Sequence, residues 1–148
     1  MSNYQRTIDW LQACGKTPTP ESLSVGVGCH IEEFCEFLRQ LAPNSDGYTL
    51  LLKRTVEDLE WYATKLKRGE KQVYIPAERR EAALDALCDC EVTGNGVAFF
   101  SGFNKPAGDE AVLASNEAKL INGQPVILPG GKIGKPPGWI APDLAKFV

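Results

Sequence analysis

The sequence has a single histidine, His30, and a single methionine in 148 residues. One histidine excludes zinc sites built from several imidazoles and the HExxH arrangement of metalloproteases. Cysteine is present five times, at Cys14, Cys29, Cys35, Cys88 and Cys90, an odd number with no CxxC spacing. Without a paired framework, these thiols are expected to be buried as small apolar side chains. Cys29 and His30 are sequence neighbours, and neighbours on a helix point about 100° apart, which argues against a Cys–His nucleophilic pair. No apolar run approaches the roughly 20 residues that cross a bilayer, so no membrane partner is expected. The first ten residues carry Arg6 and Asp9 and no apolar secretory core, which predicts a cytoplasmic protein. An excess of basic charge is also missing: 16 Lys+Arg stand against 19 Asp+Glu. A general nucleic-acid binder carries the opposite balance, so no nucleic-acid partner is expected. Gly130-Gly131-Lys132 lacks the GxxxxGK[ST] spacing of a phosphate loop.

What is present is an ordinary globular mixture, 43% hydrophobic and 24% charged, long enough for one domain with a core. Tyr4, Ile8 and Leu11 recur at helical spacing and predict a short helix over residues 3–13. Residues 15–20 read as a proline-rich loop. A helix follows, best defined over 29–41 and stopped before Pro43, then a turn over 43–47 and a long helix over 48–68 with Gly69 as its C-cap. Pro76 opens another helix that runs through Leu84, Leu87, Val92, Val97 and Phe99. Gly94 and Gly96 interrupt its pattern, and each costs about 1 kcal/mol against alanine, which predicts close approach of another backbone. A further short helix is expected over 109–120, ended by Asn122-Gly123. Residues 125–128 and 132–134 flank Pro129-Gly130-Gly131 as a small hairpin, followed by a proline-rich arm. The fold class is all-α, a helical bundle over 1–124 with a hairpin and arm over 125–148 in the same domain.

With one histidine, carboxylates and a metal are the tools left for chemistry. On a helical wheel, Ile31, Phe34, Cys35, Leu38 and Leu41 share an apolar face, and Glu32, Glu33 and Glu36 cluster opposite. Glu81, Asp85 and Asp89 form a second row at i, i+4, i+8. Like charges at that spacing destabilise a helix by about 0.2–0.5 kcal/mol per pair. Because the row runs on into Val92 and Gly96, it is expected to turn inward, where buried carboxylates need a cation. Two such rows, packed face to face, would make a hard-oxygen site for Mg²⁺ or Mn²⁺, with more than one ion held about 3.5–4 Å apart. Two solvated acidic faces remain the plain alternative. Trp10, Trp61 and Trp139 could each stack on a base; Trp61 is expected instead in a core or interface, and Trp10 is the candidate for a base pocket. Phe99, Phe100 and Phe103 are expected in core or oligomer contacts. His30 precedes Glu33 by one turn, as a surface residue or a hydrogen-bond partner. The role of Glu91 is open.

These segments resemble the all-α nucleoside triphosphate pyrophosphohydrolases of the MazG-like group. Glu32-Glu33-x-x-Glu36 matches that family's EExxE motif. Asp85-Ala-Leu-Cys-Asp89 resembles its later acidic element in the form found in the phage-type, phosphoribosyl-ATP-pyrophosphohydrolase-like branch. The usual ExxD spacing is not met, since Ala86 stands three residues before Asp89 and Asp85 takes the place of the remaining acid. Ser115-Asn116, Lys119-Leu120, Asn122-Gly123-Gln-Pro125, Gly131-Lys132, Lys135 and Pro142-Asp143-Leu144 resemble the tail of the same branch. The likeness runs from about residue 8 to 144.

The resemblance implies an oligomeric helical bundle that hydrolyses a (d)NTP to a (d)NMP and pyrophosphate. It implies Glu33, Glu36, Asp85 and Asp89 as ligands of Mg²⁺ or Mn²⁺. Glu32 would hold a further ion or orient the attacking water, so that Glu32, Glu33 and Glu36 form the catalytic set. Asn116 and Lys119 would meet the nucleotide, and Lys132 and Lys135 would reach the polyphosphate. A homodimer or homotetramer is implied. The base is open. Selectivity for dGTP, as in the MazZ-like enzymes, stands beside a dUTP/dCTP-type or housecleaning activity and phosphoribosyl-ATP hydrolysis. From another class comes a non-catalytic helical oligomer that binds a protein partner through its acidic faces.

Overall fold

The computed structural model describes residues 1–128 and 133–148. Its five helices make the chain all-α in class: α1 (Asn3–Ala13), α2 (Pro20–Leu38), α3 (Asp46–Lys67), α4 (Arg80–Phe100) and α5 (Lys105–Glu117). By internal contacts the chain divides into two compact units, Pro18–Pro76 and a unit made of Met1–Thr17 with Ala77–Val148.

The unit Pro18–Pro76 is a hairpin of α2 against α3. Ser24, Gly28, Ile31, Cys35 and Leu38 face inward from α2, at alternating steps of four and three. Leu52, Val56, Leu59, Ala63 and Leu66 answer from α3 in the same rhythm, the spacing of a coiled-coil seam. Cys35, Val56, Ala63 and Leu66 are buried outright. Small residues on α2 let the backbones close. A β-carbon at Gly28 would lie 2.9 Å from the carbonyl oxygen of Ala63 and 2.8 Å from Lys67 Cγ. Gly28→Ala therefore gains about 1 kcal/mol of helix propensity but meets a backbone atom that cannot step aside. The expected result is a net loss of about 1–2 kcal/mol, read as a lower midpoint in urea with an unchanged slope. At the open end, the Ser24 hydroxyl accepts from Val73 N–H at 3.0 Å and ties down the segment after α3.

α2 begins nine residues before the 29–41 helix expected from the sequence and stops at Leu38. Thr19 caps it, its hydroxyl accepting from Ser22 N–H, with Pro20 in the first turn, where a missing N–H costs nothing. Phe34 does not join the apolar face as the wheel suggested. It is 52% exposed beside Phe37.

In the other unit, α1 packs on α5. Arg6 makes a two-pronged bond to Glu117, at 2.8 and 2.9 Å, and also pairs with Glu110. α5 starts earlier than expected, at Lys105. Asn104 caps it by accepting from Ala107 N–H, and Pro106 sits in its first turn. Asn122-Gly123 does not end a helix but turns a hairpin. Both residues have positive φ (51° and 75°), and β1 (Leu120–Ile121) pairs antiparallel with β2 (Gln124–Pro125). Asn-Gly is the dipeptide that such a turn favours. The expected second hairpin is present at its base, where Ile127 bridges antiparallel to Ile133, but its turn lies outside the described residues. The arm then folds back within this unit. Trp139 Nε1 donates to Ser115 O at 2.9 Å, and Phe147 O accepts from Asn104 N–H at 2.8 Å.

α4 departs most from expectation. Ala98 is its one buried residue. Leu84, Leu87, Val92 and Val97 are exposed, and Phe99 and Phe100 reach 79% and 85%. The inward-turning row is not found: Glu81, Asp85 and Asp89 are all exposed in the chain. Nor does another backbone press on the glycines. Nothing lies near Gly94, and Gly96 meets only the Phe100 ring at 3.9 Å. The expectation of buried thiols holds for Cys14 and Cys35 and fails for Cys29, Cys88 and Cys90, which are exposed. Trp61 is likewise exposed rather than in a core.

Candidate functional site

Among the residues singled out from the sequence, four are brought together by the α1–α5 unit. Trp10 stands half-buried in the last turns of α1, Asn116 lies in the last turn of α5, and Lys119 follows that helix. Lys119 Nζ donates to Asn116 Oδ1 at 2.8 Å. The ammonium lies 6.0 Å from the centre of the Trp10 ring and 5.6 Å from that of Trp139. Lys135 approaches Trp139 from the arm, its Nζ 4.4 Å from the ring centre. Each cation over an indole is worth about 0.5–1 kcal/mol at an exposed site and more where water is excluded. The Trp139 N–H bond to Ser115 sets the ring that both lysines use.

The bond to Lys119 also fixes the Asn116 amide, because an ammonium can only donate and must meet the oxygen. Its NH₂ is thereby turned to act as a donor. Beside it is a hollow of about 50 Å³ lined by Arg6, Thr7, Trp10, Leu113, Asn116 and Glu117. The Trp10 indole N–H is buried with no hydrogen-bond partner among the described residues. The cluster is thus a surface of cations and donors with aromatic walls, suited to anionic and acceptor groups. Trp139 was not singled out as a site residue. Its signal was the proline-rich arm around it, which reads as irregular chain until the Ser115 bond is seen. Lys132 lies outside the described residues.

The Arg6 fork holds the floor of this surface. It keeps the Glu117 carboxyl below the ordinary glutamate value of 4.5, since the hydrogen bond from the guanidinium favours the charged form. A lowered carboxylate contributes stability that is present above the unfolded value and is lost as pH falls through the folded one. Acidification from about pH 5 to pH 3 should therefore lower the wild-type melting temperature more steeply than that of Glu117→Gln. Parallel slopes in the two proteins would contradict the pairing.

The acidic residues stand on two elements. Glu32, Glu33 and Glu36 lie on α2 in the hairpin unit. Glu33 and Glu36 are exposed, and Glu32 is half-buried against α3. There the Lys67 ammonium donates to Glu32 Oε1, and Glu60 pairs with Arg39. Glu32, Glu60, Ala63, Thr64 and Lys67 line a hollow of about 210 Å³. Asp85 and Asp89 lie on α4 in the other unit. Among the described residues, no group of three or more His, Cys, Asp or Glu side chains is gathered to hold a metal ion. The donors that each row offers are carboxylate oxygens, which by their chemistry suit Mg²⁺ or Mn²⁺ and not softer ions. His30, one turn before Glu33, is exposed.

No protein-family model matches the chain, and neither the curated proteins nor the solved structures contain a match. No helix among the described residues is long and apolar enough to cross a membrane.

Proposed function

We propose that this chain is a metal-dependent nucleoside triphosphate pyrophosphohydrolase of the MazG-like kind, converting a (d)NTP to a (d)NMP and pyrophosphate. The observation that carries this reading is the cluster in which Lys119 meets Asn116, Trp10 and Trp139, and Lys135 meets Trp139. Asn116, Lys119 and Lys135 come from the tail motif that resembles the phage-type branch. Trp10 is the tryptophan proposed to stack on a base. A triphosphate needs positive partners, and lysines held over indole rings supply them.

The acid rows take the complementary role. Glu33 and Glu36 on α2 and Asp85 and Asp89 on α4 are the proposed ligands of Mg²⁺ or Mn²⁺. When bound, such ions neutralise phosphate oxygens and lower the pKa of a bound water. The chain's own part is to present carboxylates to the ions and lysines to the phosphate charge left over. The exposed apolar residues of α4 support a homodimer or homotetramer in which another copy covers them. Leu84, Leu87, Val92, Val97, Phe99 and Phe100 are bare in the single chain, and exposed apolar residues gathered on one element mark an interaction surface.

The same bare helix favours a second reading, a non-catalytic oligomer that binds a protein partner. Incubation with each common (d)NTP and Mg²⁺ or Mn²⁺ separates the two. The enzyme releases pyrophosphate from at least one of them, and the base it prefers emerges from the same screen. On the scaffold reading, Mg²⁺ raises neither turnover nor thermal stability.

A further inference from the structure

We infer that two copies of this chain pair through one face of α4, antiparallel, along the seam Ala83, Leu87, Cys90, Gly94 and Val97. The inference rests on the oligomer of the reading proposed above, names its interface, and stands apart from its chemistry.

These five residues recur at alternating steps of four and three, the spacing that keeps a row turned toward a partner helix. α2 and α3 carry the same rhythm and cover each other with it. On α4 the row is uncovered. Leu87 is 58% exposed and Val97 42%, Cys90 and Gly94 are exposed, and Ala83 is half-buried. Ala86 and Thr93 flank the row on one side, and Leu84, Glu91 and Ala98 on the other, so Glu91 is the one charge beside it. Glu81, Asp85 and Asp89 lie on the opposite side of the helix. A charged face for water and an uncharged seam for a neighbour is the pattern of a helix that packs on one side.

The sizes along the seam identify the occupant. Antiparallel pairing about Cys90 sets Leu87 against the second copy's Gly94, and Ala83 against its Val97, large against small in each layer. A parallel pair would set leucine on leucine and leave a void where glycine meets glycine. A face that complements itself under a twofold is what an isologous contact requires. Gly94 then gains a role that nothing in the single chain supplies. A β-carbon there would meet nothing within 4 Å, and glycine weakens a helix interior. In the pair it lets the second backbone approach. Charge agrees with the direction. α4 has Arg79 and Arg80 at its start and no basic residue in its last turn. Antiparallel pairing brings those guanidinium groups to the negative end of the neighbouring helix. The two Glu91 carboxylates meet only at the exposed margin, where salt screens them.

Sedimentation equilibrium of the full-length protein in EDTA, without nucleotide, tests the pairing apart from any reaction. Wild type should sediment as a dimer at micromolar concentration. Leu87→Arg should weaken the dimer about 100-fold or more, since each dimer carries the change twice. Val92→Arg is the control. Val92 is 67% exposed on the acidic side of α4, and the dimer should survive its replacement unchanged. Should Leu87→Arg fail to fold, Gly94→Leu decides. In a lone chain that leucine has open space and a better helix propensity, so it would stabilise. In the pair it collides with the second copy's Leu87 and should weaken the dimer about 10-fold or more. With Cys29→Ser and Cys88→Ser in place, Cys90 is the remaining exposed thiol, and a short bismaleimide should link two chains through it. A monomeric wild type, a dimer that Gly94→Leu leaves intact, equal dissociation by Val92→Arg and Leu87→Arg, or no link at Cys90 overturns the inference and leaves pyrophosphate release to be judged by its own assay. A dimer that Leu87→Arg splits, in a protein that hydrolyses no nucleotide, upholds this interface while the enzyme reading falls.

Discussion

Glu36→Gln should abolish pyrophosphate release while the protein keeps its fold. Glu36 is exposed on α2, and its backbone carbonyl accepts from the Gln40 side-chain amide at 3.2 Å. Exposed substitutions of this kind change stability within about 0.5 kcal/mol. Glutamine preserves the shape and removes the charge. The charge lies near the Arg39 guanidinium as well as its acidic neighbours on α2, so the fold should be little changed. Loss of a charged ligand is a different matter for catalysis. Outer partners of metal ligands already carry about 10–100-fold, so a direct ligand should cost about 100-fold or more in kcat/KM. Circular dichroism and thermal melting check the fold, and pyrophosphate release checks the rate. Full activity in a well-folded Glu36→Gln protein would mean that α2 is not the metal-bearing face.

Removing the tail after Gly123 should raise nucleotide KM strongly. The cut takes away β2, the Ile127–Ile133 bridge, Trp139 and Lys135. It leaves Lys119 with one indole where it had two. A charge-assisted hydrogen bond contributes about 1.5–3 kcal/mol, so losing the arm lysine corresponds to about 10–100-fold in affinity. Because the arm also closes on α5 through Phe147 and Asn104, the truncated chain is paired with the single substitution Lys135→Gln, which leaves the Trp139–Ser115 bond in place. Lys135→Gln should raise KM about 10-fold with kcat nearly unchanged, the mark of lost ground-state binding. Unchanged kinetics in both variants would remove the arm from the substrate surface.

Helical periodicity made much of this architecture legible. α1 spans the residues that Tyr4, Ile8 and Leu11 mark out, and Gly69, at φ 70°, follows α3 where a C-cap glycine belongs. The boundaries that were misread share a cause. Thr19-Pro20 and Asn104-Lys-Pro106 are N-terminal signals, a capping side chain followed by a proline that needs no N–H, and proline taken only as a breaker hides them. Gly26 and Gly28 further dilute the apolar pattern of α2, although Gly28 is the tightest point of its packing.

Periodicity also identifies which residues share a face without saying what covers it. Glu81, Asp85 and Asp89 do form one row on α4, yet the row is exposed in the chain, because burial depends on a neighbour that no local pattern encodes. The lysine–tryptophan cluster was legible residue by residue for Trp10, Asn116, Lys119 and Lys135. Their meeting place was not, since it depends on the arm returning to α5 through the Trp139–Ser115 and Asn104–Phe147 bonds. The Lys67–Glu32 pair links positions 35 residues apart and left no mark in the local sequence.

The most direct test of the account is the identity of the phosphorus products. Phosphorus NMR of the full-length protein with Mg²⁺ and its preferred triphosphate should show nucleoside monophosphate and pyrophosphate appearing together in equal amounts. Nucleoside diphosphate with orthophosphate, or a triphosphate left intact across the whole nucleotide panel with either Mg²⁺ or Mn²⁺, would contradict it.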